Sequence, residues 1–214
     1  CASDDFEANI DYYSYFDFVN GLQSWEADAV NYNQELKNTF QIELIHQNYF
    51  LDGMSKNAME LKLSKVPDGT FVYLRNQIKG LKPASRYQVT FEIQQQYNFS
   101  SGVSTTDAPD TIFYEAGFSN VKPESILVED VNTNHDVILN VEVPDPNIKY
   151  STITITDNLF PQEYGLRTLD NFYNPLIITT NQSGEFWFIY GSTVKEIFSY
   201  STLFDTIIIY YEEI

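Results

Sequence analysis

Arg86-Tyr87-Gln88-Val89-Thr90-Phe91-Glu92-Ile93-Gln94 alternates without a break. Tyr87, Val89, Phe91 and Ile93 fall on one parity, and Arg86, Gln88, Thr90, Glu92 and Gln94 on the other. Successive side chains of a strand point to opposite faces, so the stretch reads as a half-buried antiparallel strand. The same period continues on both sides of it. Met59, Leu61 and Leu63 alternate with Glu60 and Lys62, while Val72, Leu74 and Ile78 share one parity. Ile153 and Ile155 alternate with threonines, and Thr206 to Tyr211 is a continuous β-branched and aromatic run. No stretch carries a sustained 3.6-residue stripe. Turn signals at Asn20-Gly21, Asp52-Gly53, Pro67-Asp68-Gly69, Pro144-Asp145-Pro146 and Ser183-Gly184 separate the strands. Many short strands with 16% aromatic residues predict an all-β fold of two packed antiparallel sheets. No repeat, linker or composition shift divides the chain. The expectation is one sandwich domain over residues 15–214, preceded by an acidic tether over residues 1–14.

The 214 residues suffice for a sizeable core. A formal net charge of -18 repels phosphate backbones and anionic surfaces, which disfavours nucleic acid as a partner. No apolar run reaches the length of a membrane-spanning helix. The single cysteine, Cys1, rules out an intramolecular disulfide, so the fold rests on packing. A lone cysteine at the first position looks like the acylated residue of a bacterial lipoprotein, which would make its lipid the only membrane anchor. The following Ser3-Asp4-Asp5 resembles the acidic signal that sends some outer-membrane lipoproteins to the cell exterior.

Two further segments carry a resemblance. Phe16-Asp17-Phe18-Val19-Asn20-Gly21-Leu22-Gln23-Ser24-Trp25 and Ile78-Lys79-Gly80-Leu81-Lys82-Pro83-Ala84-Ser85-Arg86-Tyr87-Gln88-Val89-Thr90-Phe91 are similar to the opening strand pair and the following turn-strand of galactose-binding-like jelly rolls, the fold of many bacterial carbohydrate-binding modules. The residues make sense without the family. Gly80 and Pro83 return the chain antiparallel, Leu81 and Tyr87 plug the core beside the turn, and Trp25 packs inward after Asn20-Gly21. Thr111-Ile112-Phe113-Tyr114-Glu115-Ala116-Gly117-Phe118-Ser119-Asn120-Val121-Lys122-Pro123 resembles a segment of an uncharacterised bacterial lipoprotein family with this sandwich. Where that family has paired aspartates, Leu63 to Gly69 retains only Asp68. The resemblance implies a jelly-roll β-sandwich, galactose-binding-like, held at the outer membrane and binding glycan without cleaving it. The rival reading is a structural or protein-interaction component of the cell envelope.

Candidate site residues follow from that reading. If Phe186, Phe188 and Tyr190 face the core, Trp187 faces out, where an indole stacks on a sugar; in the opposite register it is core. A run that is apolar on both parities also fits a strand buried on both faces. Tyr97 and Tyr173 are stacking candidates on loops. Sandwiches of this type often hold a structural Ca²⁺ between the first and last strands, with Asp17, Asp205 and Glu212 as candidate ligands. His46 and His135 are single and distant in sequence, so a zinc site needs carboxylates to converge on them. Glu115 and Glu185 lie in aromatic company and are the acids a glycan hydrolase reading would use. No G-x-S-x-G elbow, phosphate loop or dinucleotide fingerprint is present.

Overall fold

In the computed structural model, the alternating stretch folds as the first part of β6 (Arg86–Phe99). Residues 12–51, 53–99, 111–128, 136–143, 145–158, 166–194 and 200–214 are described; Cys1, the rest of residues 1–11 and His135 lie outside them. The other strands are β1 (Tyr12–Phe16), β2 (Glu26–Val30), β3 (Gln41–Leu51), β4 (Met54–Ser64), β5 (Phe71–Ile78), β7 (Thr111–Ser119), β8 (Ser125–Leu127), β9 (Val137–Leu139), β10 (Tyr150–Asn158), β11 (Arg167–Asp170), β12 (Leu176–Thr179), β13 (Phe186–Thr193) and β14 (Tyr200–Glu213). Among the described residues only two short 3-10 turns, Gln34–Leu36 and Asn140–Glu142, are helical. No helix there is long and apolar enough to cross a membrane.

The strands form a jelly-roll β-sandwich. One sheet has the order β11-β6-β14-β4-β3, with β1 also on β14 and β12 also on β6; the other has the order β10-β7-β13-β5-β2. All pairings are antiparallel. We call these the first and second sheets. Tyr87, Val89, Phe91 and Ile93 are buried, as their parity predicts. Across the core, Phe188 lies 5.0 Å from Phe118, 5.3 Å from Phe91 and 6.0 Å from Trp25, centroid to centroid. Trp25 is 3% exposed and also meets Phe16 edge-on, so it is a core residue.

The structure moves two sequence expectations. Tyr12–Ser14, assigned to the tether, pair with Tyr211, Tyr210 and Ile209, so the ordered sheet begins three residues earlier than expected. Tyr97 is not on a loop. It lies within β6 on the core parity, is 4% exposed, and accepts a 2.8 Å hydrogen bond from Gln95 Nε2, whose Oε1 in turn accepts from Tyr190 Oη. Its ring is therefore closed to any ligand. The cause is the length of β6, which continues well past the alternating stretch.

A third layer covers part of the second sheet's outer face. β8 and β9 pair with each other, and Val137 bridges to Tyr32 just after β2. Arg75, on the outward parity of β5, donates to Pro123 O, and Ser125 Oγ donates to Asp28 Oδ2 at 3.1 Å. Leu139 of β9 and Val141 of the 3-10 turn after it are buried. Ile189, outward on β13 and level with Arg75, is fully buried too. The layer thus leaves one end of the sheet uncovered.

The Gly80 to Pro83 turn is clamped to the β12–β13 turn. Leu81 N donates to Gly184 O at 3.0 Å, Ala84 N to Asn181 O at 3.0 Å, and Lys82 N to Tyr87 Oη at 3.1 Å. Gly184 has φ +71°, and a Cβ there would fall 2.0 Å from Leu81 O. Strained backbone and a clash with main chain both oppose a side chain. Gly184→Ala is expected to cost about 1–3 kcal/mol, read as a lower urea midpoint at unchanged slope. A wild-type midpoint would show that the clamp contributes nothing.

Candidate functional site

At the open end of the second sheet, β1 passes the last residues of β5 and the first of β13. Between them lies a cleft of about 670 Å³, lined by Ser14, Tyr15, Phe16, Gln23, Ser24, Glu26, Asn76, Gln77, Ile78, Lys79 and Trp187. That volume falls within the roughly 300–1,000 Å³ typical of small-molecule sites. Both segments that carry the jelly-roll resemblance border it: Gln23 and Ser24 come from the first, and Ile78 and Lys79 from the second.

The wall of residues 17–25 is tightly held. Phe18, Gln23 and Ser24 all have positive φ, a conformation non-glycine residues seldom adopt. Phe18 N donates to Gln23 Oε1 at 3.0 Å, Gln23 Nε2 to Asp17 Oδ1 at 3.4 Å, and Asn76 Nδ2 to Gln23 O at 3.0 Å. Such strain persists where surrounding bonds over-determine the backbone, and it gathers at binding sites.

Trp187 contributes an indole to the cleft lining. Its partners in register are Gln77 on β5 and Ser119 on β7, all on the outward parity, and it is half-buried. Lys122 Nζ sits 5.5 Å from the indole centroid and 3.2 Å from Glu26 Oε2. Gln77 Nε2 donates to Glu185 Oε2 at 2.9 Å. The result is an indole beside amides and carboxylates already fixed by their own partners.

Glu26 also receives Arg75 Nη2 at 2.8 Å. Burial alone would raise its carboxyl pKa, but the hydrogen bonds from Arg75 and Lys122 outweigh this and hold it below its ordinary 4.5. A depressed carboxyl pKa stabilises the fold above the unfolded value, and the contribution is lost as pH falls through the folded value. The thermal midpoint is therefore expected to fall as the pH drops below 4.5, and Glu26→Gln to flatten that fall. The change will be small, because the side chain is 47% exposed. Equal acid sensitivity in both proteins would refute the coupling.

The other sequence candidates lie elsewhere. Tyr173, 96% exposed on the β11–β12 turn, does not line the cleft. The three proposed calcium ligands do not converge. Asp17 Oδ1 accepts from Val19 N and Gln23 Nε2, and Asp205 takes Tyr49 Oη at 2.5 Å and Lys56 Nζ at 3.3 Å. Glu212 lies seven residues along β14 from Asp205, about 23 Å at strand rise. No group of three or more His, Cys, Asp or Glu side chains among the described residues is placed to hold a metal. His46 lies on β3 opposite Met59. Glu115 lies opposite Gly191, six residues along β13 from Glu185, about 20 Å away. That is beyond the roughly 5–9.5 Å over which two carboxyls act on one glycosidic bond. Gln23, Gln77 and Lys79 escaped the sequence reading. Their only signal was position inside or beside the two jelly-roll segments.

No protein-family model matches the chain, and no curated protein is similar to it. Among solved structures it is similar to the enzymatically active domain of bacteriophage CBA120 tailspike protein 4, at 11% identity and TM-score 0.37, over 89% of this chain and 19% of that one. It is also similar to the N-terminal CBM22-1-CBM22-2 tandem domain of Paenibacillus barcinonensis Xyn10C, at 12% identity and TM-score 0.44, over 92% of this chain and 49% of that one. A third is the family 11 carbohydrate-binding module of the Clostridium thermocellum cellulase Lic26A-Cel5E, at 12% identity and TM-score 0.41, over 92% and 94%. The chain spans about a fifth of the tailspike domain and about half of the tandem domain.

Proposed function

We propose that this protein is a carbohydrate-binding module that holds a neutral glycan in the cleft beside Trp187 and does not cleave it. The observation that carries the reading is a half-buried indole lining a polar cleft of about 670 Å³ together with Gln23, Gln77 and Glu26. Sugar rings present an apolar C–H face and a rim of hydroxyls. An indole takes the first, while amides and carboxylates take the second. The net charge of -18 disfavours acidic glycans.

Calorimetric titration with a panel of neutral gluco-, xylo- and galacto-oligosaccharides tests the proposal. Saturable binding of at least one member, with the sugar recovered intact, is the expected result. Silence across the panel would overturn it.

A further inference from the structure

Lys122 lies on the segment that leaves β7 for the third layer, and its main chain is held on both sides. Asn140 Nδ2 donates to Lys122 O at 2.9 Å, while Glu124 N donates to Asn140 Oδ1 at 2.8 Å and Asn140 N to Glu124 O at 3.0 Å. Between them, Arg75 donates to Pro123 O. The other end of the side chain is held too. Lys122 Nζ lies 3.2 Å from Glu26 Oε2 and 3.5 Å from Glu124 Oε1, and the same Glu26 oxygen takes Arg75 Nη2 at 2.8 Å. A flexible four-carbon stem is thus fixed at both ends, and the ammonium it carries stands over the Trp187 ring, 5.5 Å from the centroid.

An indole has two faces. Lys122 takes one of them and does not line the cleft, so the face turned to the cleft is the other. Among the described residues no aromatic ring stacks on Trp187. A cation over the electron-rich face attracts the ring and favours the orientation that keeps it there. That matters for binding, because apparent affinity falls in proportion to the fraction of molecules whose site is already in its binding arrangement. An indole held from behind binds at its intrinsic affinity, and one free to swing binds less tightly.

We propose that Lys122 is the positioning residue of this site: its ammonium, fixed by Glu26 and Glu124, holds the Trp187 indole so that the free face meets a neutral sugar in the cleft. The inference rests on the cleft reading above and adds the group that sets the ring. Lys122 acts through the indole and touches no sugar itself.

Two variants of the whole chain test this, with circular dichroism to check the fold. Lys122→Met keeps an unbranched stem and removes the charge, whereas Lys122→Arg keeps a cation that stacks on indole. Calorimetry with the neutral oligosaccharide that the wild type binds best gives the affinity. Acrylamide quenching of tryptophan fluorescence reports how freely Trp187 moves, since the core residue Trp25 is only 3% exposed. Lys122→Met is expected to weaken binding by about two- to fivefold and to raise the quenching constant. Lys122→Arg is expected to keep both near the wild-type values. Unchanged affinity and quenching in Lys122→Met overturn the proposal and leave the cleft standing. Weaker binding at unchanged quenching makes Lys122 a ligand contact, which also overturns the positioning role. An arginine variant that behaves like the methionine one shows that charge does not hold the ring, with the same consequence. Absence of wild-type binding to any neutral oligosaccharide overturns the cleft reading and the proposal with it.

Discussion

Phe188→Ala is expected to lower the free energy of unfolding by about 3–5 kcal/mol. Phe188 is 0% exposed and meets Trp25, Phe91, Phe118 and Tyr190, so truncation leaves a void bounded by rings from both sheets. Flat, stiff rings cannot collapse into such a void, which places the cost toward the upper part of the range. Domains of this kind hold only about 5–15 kcal/mol in total, so the variant should sit near the edge of folding. Urea unfolding at constant slope measures the loss. A loss below about 1 kcal/mol would contradict a central position for this ring.

Trp187→Ala, one residue earlier, is expected to do the opposite. Its effect on stability should be slight, since the side chain is half-buried and its ring contact with Lys122 contributes only about 0.5–1 kcal/mol. Its effect on glycan binding should be large. Aromatic anchors in a pocket commonly carry about 2 kcal/mol or more, a loss of roughly thirtyfold in affinity. Calorimetry with the best ligand of the wild type measures this, with the urea midpoint as the internal control. If affinity is unchanged while the protein stays folded, the ligand does not use this cleft.

The contrast between these neighbours shows how far the sequence reaches. In β6 the alternation of Tyr87, Val89, Phe91 and Ile93 with polar residues decided the strand and its buried face without help. In β13 the run Phe186-Trp187-Phe188-Ile189-Tyr190 is apolar on both parities, so its pattern allowed either register. Asp17, Asp205 and Glu212 lie near the chain ends in sequence. Their separation depends on where Asp205 and Glu212 fall along β14 and on the Tyr49 and Lys56 contacts that take up Asp205. Tyr97 was misplaced because β6 runs to Phe99, and strand ends follow from pairing with β14 more than from local pattern.

By itself, then, the sequence determined an all-β chain of antiparallel strands, the turns between them and the buried face of the strands that alternate. These follow from backbone geometry, which couples side-chain direction to position every second residue. Only the tertiary structure decided that Trp187 faces a cleft, that Gln23, Gln77 and Glu26 stand beside it, and that Lys122 covers its other face. Those residues come from strands and loops far apart in the chain. Their meeting is set by sheet order and by the layer packed over the second sheet, which no local periodicity encodes.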